Sequence, residues 1–131
     1  MAVAAALQAV DGVALKVMVD TWAAAPAPQK EMAFQAAFAV RQVEVGFASM
    51  LSLLFGLTAI VYGIALLGGR TYPQWMGGLA IVGGVPTAVG GIVMAHTGFS
   101  GLAMAINMPA SFFLLVWMFT LGVLMWRWRG R

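Results

Sequence analysis

The hydrophobic positions of this chain fall into long runs separated by short polar breaks. Val45 to Gly69 carries no charge over about 25 residues, roughly 37 Å as helix. That length crosses a bilayer core of about 30 Å with some tilt. Gln74 to Ala95 and Ala103 to Trp126 form two further runs, and Arg70 is the only formal charge between Glu44 and Arg127. The break Gly68-Gly69-Arg70-Thr71-Tyr72-Pro73 therefore reads as the turn of a transmembrane hairpin. No segment alternates with the period of a strand.

Within two of the runs the small residues recur every three or four positions, which stacks them on one helix face. Ser49, Ser52, Gly56, Ala59 and Gly63 form one stripe; Gly77, Ala80, Gly84, Thr87 and Gly91 form the other. In lipid, helices associate through close backbone approach rather than a hydrophobic drive. Ser52, Gly56, Gly63, Gly77, Gly84 and Gly91 are accordingly the expected packing residues. Pro86 falls mid-run, where it frees a carbonyl that the Thr87 hydroxyl is placed to help satisfy.

The first 44 residues are less uniform. Residues 2–20 have helical periodicity, but Asp11, Lys16 and Asp20 interrupt them. Two readings are open: a spanning helix with Asp11 and Lys16 facing a bundle interior, or an amphipathic helix at the interface. Residues 2–10 hold one polar side chain, Gln8, which favours the first. Thr21 to Gln29 reads as a loop broken by Pro26 and Pro28. Lys30 to Glu44 is rich in helix formers and is expected to run unbroken into the next span. Arg41 and Glu44 are three apart and can pair on one face. The pattern thus predicts an all-α polytopic transmembrane helical bundle, a single domain over 1–131. Its helices are expected near 2–20, 29–69, 74–95 and 103–128, as three spans plus an N-terminal helix.

Composition agrees with lipid as the solvent: 63% of residues are hydrophobic and 8% are charged, against roughly 25% charged in soluble domains. The net charge of +3 matters through its placement. Arg127, Arg129 and Arg131 follow the last run and, with Arg70, act as topology anchors. They put the C-terminus and the 68–73 turn on the cytoplasmic side of the plasma (inner) membrane, and the 95–102 connection outside. Tyr72, Trp75, Trp126 and Trp128 then share one aromatic belt. Three arginines beside a span read as anchors, not as a nucleic-acid site.

The pattern Tyr62-Gly63, Ala65-Leu66-Leu67, Arg70, Pro73, Trp75 and Gly77, followed by a glycine-rich run and a terminal Trp126-Arg127, resembles a large group of uncharacterised bacterial polytopic membrane proteins. The likeness covers residues 45–131. It implies five or six spans in the complete member, so that one or two would be missing ahead of this chain. It implies no activity, ligand or catalytic residue.

Chemistry-bearing motifs are sparse. The chain has no cysteine and one histidine, which excludes disulfides, thiolate metal sites and a bis-histidine haem within the chain. No metal site and no cofactor is expected. The glycine pairs lack phosphate-loop spacing and read as packing residues. Ser100 in Gly98-Phe99-Ser100-Gly101 lacks the context of a nucleophile elbow. What remains is a candidate polar site of Asp11, Lys16, Arg41, Glu44, His96 and Asn107, placed between the middle and the outer face of the bilayer. Ionisable groups there mark a binding or proton-handling site, or else structural pairs, or side chains whose ends snorkel to water. His96 stands out because imidazole changes charge near neutral pH. Three function classes follow. The first is a structural or accessory membrane protein, with lipid and a homo- or hetero-oligomer as partners. The second is a small-ligand or ion binding and transport module using the polar cluster. The third is a membrane enzyme, ranked last for want of a nucleophile–base pair or metal set.

Overall fold

The computed structural model describes residues 2–69 and 72–129, and among them the chain is helical with no strand. Helix α1 (Ala2–Ala9) passes through a π-helical turn at Val10–Leu15 into α2 (Lys16–Ala24). A short 3-10 turn, Ala27–Gln29, leads into α3 (Lys30–Gly68), then α4 (Gln74–Thr97) and α5 (Gly101–Arg129). Among the described residues three helices are long and apolar enough to cross a membrane: Ala27–Gly68, Gln74–Thr97 and Gly101–Arg127.

α3 runs without a break for 39 residues, about 58 Å at 1.5 Å per residue. Its second half packs along α4, and α4 packs on α5. The first half extends past the end of α4, and there α1, the π-helical turn and α2 lie back against it. The three long apolar helices therefore form a layer with α4 in the centre, and the expected N-terminal helix (α1, the π-helical turn and α2) packs on the first half of α3.

α4 is central because its glycine pairs serve two neighbours. Gly77, Gly84 and Gly91 meet α3: a Cβ on Gly77 would come within 2.6 Å of the Gly63 carbonyl, one on Gly84 within 2.8 Å of the Gly56 carbonyl, and one on Gly91 within 2.7 Å of the Leu53 amide nitrogen. Gly83 and Gly90, one residue earlier and about 100° round the helix, meet Leu114 and Asn107 of α5 instead. The sequence stripes anticipated the first ladder and missed the second. Ser52 is half-buried; the close approaches on α3 come from Ser49, Leu53, Gly56 and Gly63. Around Ala59 the core gathers Met76, Ala80, Leu114 and Trp117. A second cluster of Val45, Met94 and Ala103 closes the end nearer the N-terminal helix.

Helix boundaries shift from the expected ones for local reasons. α2 continues through Thr21 and Trp22 to Ala24, because the restriction imposed by Pro26 acts on Ala25, which is extended (φ −67°, ψ 136°). α4 reaches Thr97 and stops at Gly98, whose φ of +65° suits glycine. Ser100 then caps α5: its Oγ accepts the Ala103 N–H at 3.2 Å. The connection is thus three residues, and His96 lies in the last turn of α4, not in a loop. Pro86 sits inside α4. The Thr87 hydroxyl donates to the Gly83 carbonyl at 2.8 Å, whereas the missing proline N–H belongs opposite the Val82 carbonyl.

Candidate functional site

The six polar residues expected to converge are dispersed along the structure. Asp11 lies in the π-helical turn, exposed. Lys16 bonds to Asp20 on its own helix, Nζ to Oδ2 at 2.5 Å, with both side chains mostly in the open. Neither faces a bundle interior, because among the described residues α1 and α2 pack mainly on α3, and the π-helical turn and α2 bury no residue. The exposed Lys16–Asp20 pair contributes little to stability. His96 is exposed too; its Nδ1 lies 2.9 Å from the Ile92 carbonyl, one turn back.

Arg41 and Glu44 are together, as their spacing predicted. Arg41 Nη1 donates to Glu44 Oε2 at 2.5 Å. Glu44 is 5% exposed, while the Arg41 side chain keeps 43% of its surface open. The guanidinium also lies over the Phe99 ring, 4.8 Å from its centroid. Arg41 therefore links α3 to the α4–α5 connection. Phe99 carried no sequence signal, since nothing in the local spacing brings it to residue 41.

Asn107 is the odd member. It is 6% exposed, and neither its Oδ1 nor its Nδ2 has a hydrogen-bond partner. It packs against Gly90, where a Cβ would come within 2.7 Å of the amide. A buried amide without partners costs about 1–3 kcal/mol. Asn107→Leu is expected to raise the unfolding midpoint in detergent, by the equivalent of about 1–2 kcal/mol. A clear fall on that substitution would mean that the amide is held by something polar, such as water.

A further feature escaped the sequence reading. The turn at Pro26 folds Trp22 of α2 back onto Phe34 of α3, with centroids 6.3 Å apart and the rings tilted by 59°. Phe34 stacks on Phe38 one turn along, also at 6.3 Å, and Lys30 Nζ sits 5.5 Å from the Trp22 ring centroid. The Phe34–Phe38 spacing of four was visible. The Trp22 contact was not, because the turn was expected to begin at Thr21.

Among the described residues no nucleophile–base pair stands out. Ser100 Oγ is occupied as a helix cap and lies 2.8 Å from Thr97 Oγ1. Among the described residues no three histidine, cysteine or acidic groups come together to hold a metal. Of the arginines expected to anchor the topology, Arg127 is exposed on the last turns of α5, Arg129 closes that helix, and Arg70 and Arg131 lie outside the described residues. Comparison with family models, with curated proteins and with solved structures finds no significant match to this chain.

Proposed function

We propose that the chain is an integral membrane protein with a structural or accessory role, acting through helix packing and not through catalysis. One observation carries the reading: the packing is inverted relative to that of a water-soluble protein. The α3–α4 contact is built from glycine, alanine and serine, while Leu54, Val61, Ile64, Val85, Ile92, Phe112 and Phe119 point outward. In water so large an apolar surface would drive association; in lipid it is the expected exterior. The polar groups support the accessory role over the ligand-binding one, since Asp11, Lys16 and His96 are exposed and do not converge. The unpartnered Asn107 amide is the one observation on the side of a polar ligand. We also propose membership of the uncharacterised bacterial polytopic group that residues 45–131 resemble, and a cytoplasmic C-terminus.

Absence of native cysteine makes the topology testable by thiol labelling of Arg70→Cys and Gly101→Cys in intact cells. Gly101 is chosen because a side chain there meets nothing within 4 Å. Labelling from outside is expected for Gly101→Cys, and for Arg70→Cys only after lysis. The reverse pattern would overturn the orientation, and equal labelling of both would remove the spanning hairpin. For the accessory role the measurement is energy transfer between labelled copies in vesicles, beside co-purification from native membranes. Single copies at every density, with no membrane subunit co-purifying in stoichiometric amount, would sink it.

A further inference from the structure

α3 uses two of its faces within the chain. Gly56 and Gly63 meet α4, and Phe34, Ala37 and Phe38 line the contact with α2. A third face is open. Met32, Ala36, Ala39, Val43, Gly46 and Met50 follow one another at spacings of four and three, and all six are exposed. They form a heptad seam, with Ala36, Val43 and Met50 at the a positions and Met32, Ala39 and Gly46 at the d positions.

Lipid does not account for the whole seam. α3 has 39 residues, and even at a tilt of 40° a core of about 30 Å admits only about 26 of them. About 13 residues of the helix therefore stand outside the hydrocarbon. With the span at Val45 to Gly69, these are the residues from Lys30 onward. They carry Met32, Ala36 and Ala39 out of the lipid, Met32 with 73% of its surface open. The charged residues of this stretch keep clear of the seam. Lys30 and Glu44 fall at b, Glu31 at c and Arg41 at f, while the bordering g positions hold Gln35, Gln42 and Ser49. A face that docks on its own copy across a two-fold axis sets each residue opposite its equivalent, so any charge on it would meet its like. This face carries none.

We propose that this face of α3 is the interface between two copies of the chain, a parallel helix pair that begins outside the bilayer and continues into it. The inference rests on the membrane reading above and names the partner in the packing role. Parallel pairing follows from the membrane itself. Every copy inserts with the same orientation, and a two-fold axis along the bilayer normal sets the two helices side by side in register. The small side chains of Ala36 and Ala39 let the two backbones approach.

Because the chain has no cysteine, Ala36→Cys, Val43→Cys and Met50→Cys can each be made singly, reconstituted into vesicles and oxidised. Each is expected to form a linked dimer about tenfold faster than Glu31→Cys, which is turned away from the seam, because a bridge needs Cα atoms within about 7 Å. Adding Ala39→Glu to Val43→Cys should slow linkage about tenfold, since it sets two carboxylates against each other. Ala39 is exposed, so that substitution leaves the fold of each copy intact. Linkage as fast at Glu31→Cys, linkage at only one of the three seam positions, or linkage indifferent to Ala39→Glu would overturn the proposal. So would energy transfer between labelled copies without seam linkage, or stoichiometric co-purification of a different membrane subunit in place of linkage; both leave the packing role standing. Absence of linkage, energy transfer and co-purification together would remove that role as well.

Discussion

Gly56→Ala is expected to destabilise the α3–α4 pair by about 1–3 kcal/mol, although alanine is the better helix former. The added methyl would sit 2.6 Å from the Gly84 carbonyl oxygen and closer still to the Ala88 amide nitrogen. Both neighbours are backbone, so no rotamer change relieves the contact. The helices must move apart by most of an ångström to reach ordinary separation. That displacement loosens the Gly63–Gly77 and Gly91–Ser49 approaches above and below it, and close packing forfeits dispersion energy quickly with distance. Gly46→Ala and Gly78→Ala are the controls, since a Cβ at either position meets nothing within 4 Å. Each is expected to be neutral, or to stabilise by up to about 1 kcal/mol through helix propensity. Thermal or denaturant unfolding in detergent reads the difference. Gly84→Ala should combine with Gly56→Ala at less than the sum of the two, because both substitutions demand the same separation. If Gly56→Ala unfolds with its controls, the α3–α4 register is wrong.

That ladder was legible in the sequence for a physical reason. Once the composition makes lipid the solvent, small residues at spacings of three and four have one obvious use, and Gly56, Gly63, Gly77, Gly84 and Gly91 are all used so. The second ladder was equally present, in the pairs Gly83-Gly84 and Gly90-Gly91, whose members point about 100° apart. A pair of glycines repeated after seven residues marks a helix with two neighbours; the pairs read as packing residues, but the second neighbour was not assigned. The place of the N-terminal helix was not legible at all. Hydropathy leaves Asp11 and Lys16 free to face a bundle, but α4 ends at Thr97 and leaves no second helix for them to face. Likewise His96 falls inside a helix because the chain turns at Gly98, a choice decided by one residue's backbone. For the polar site, the Arg41–Glu44 spacing was local and legible. The burial of Glu44 and the approach of Phe99 come from tertiary packing and leave no periodic trace.

Those tertiary facts make Arg41 the polar position most sensitive to substitution. Arg41→Leu would leave the Glu44 carboxylate 5% exposed with the cation that hydrogen-bonds it gone. Stranding one partner of a fully buried pair costs about 3–5 kcal/mol. The Arg41 side chain keeps 43% of its surface in the open, so water screens part of the interaction, and we expect about 2–3 kcal/mol. Phe99→Leu removes only the ring beneath the guanidinium and should cost about 0.5–1 kcal/mol. Arg41→Lys should fall between them, because it retains a cation but loses the planar stack on the ring. The decisive comparison adds Glu44→Gln to Arg41→Leu. Once the carboxylate is neutral no buried charge is stranded, so the double variant should recover most of the loss of the single one. Unfolding midpoints in detergent, measured across the four variants, give that ordering. If Arg41→Leu proves no worse than Phe99→Leu, Glu44 is reached by water, and the link from α3 to the α4–α5 connection is a surface contact.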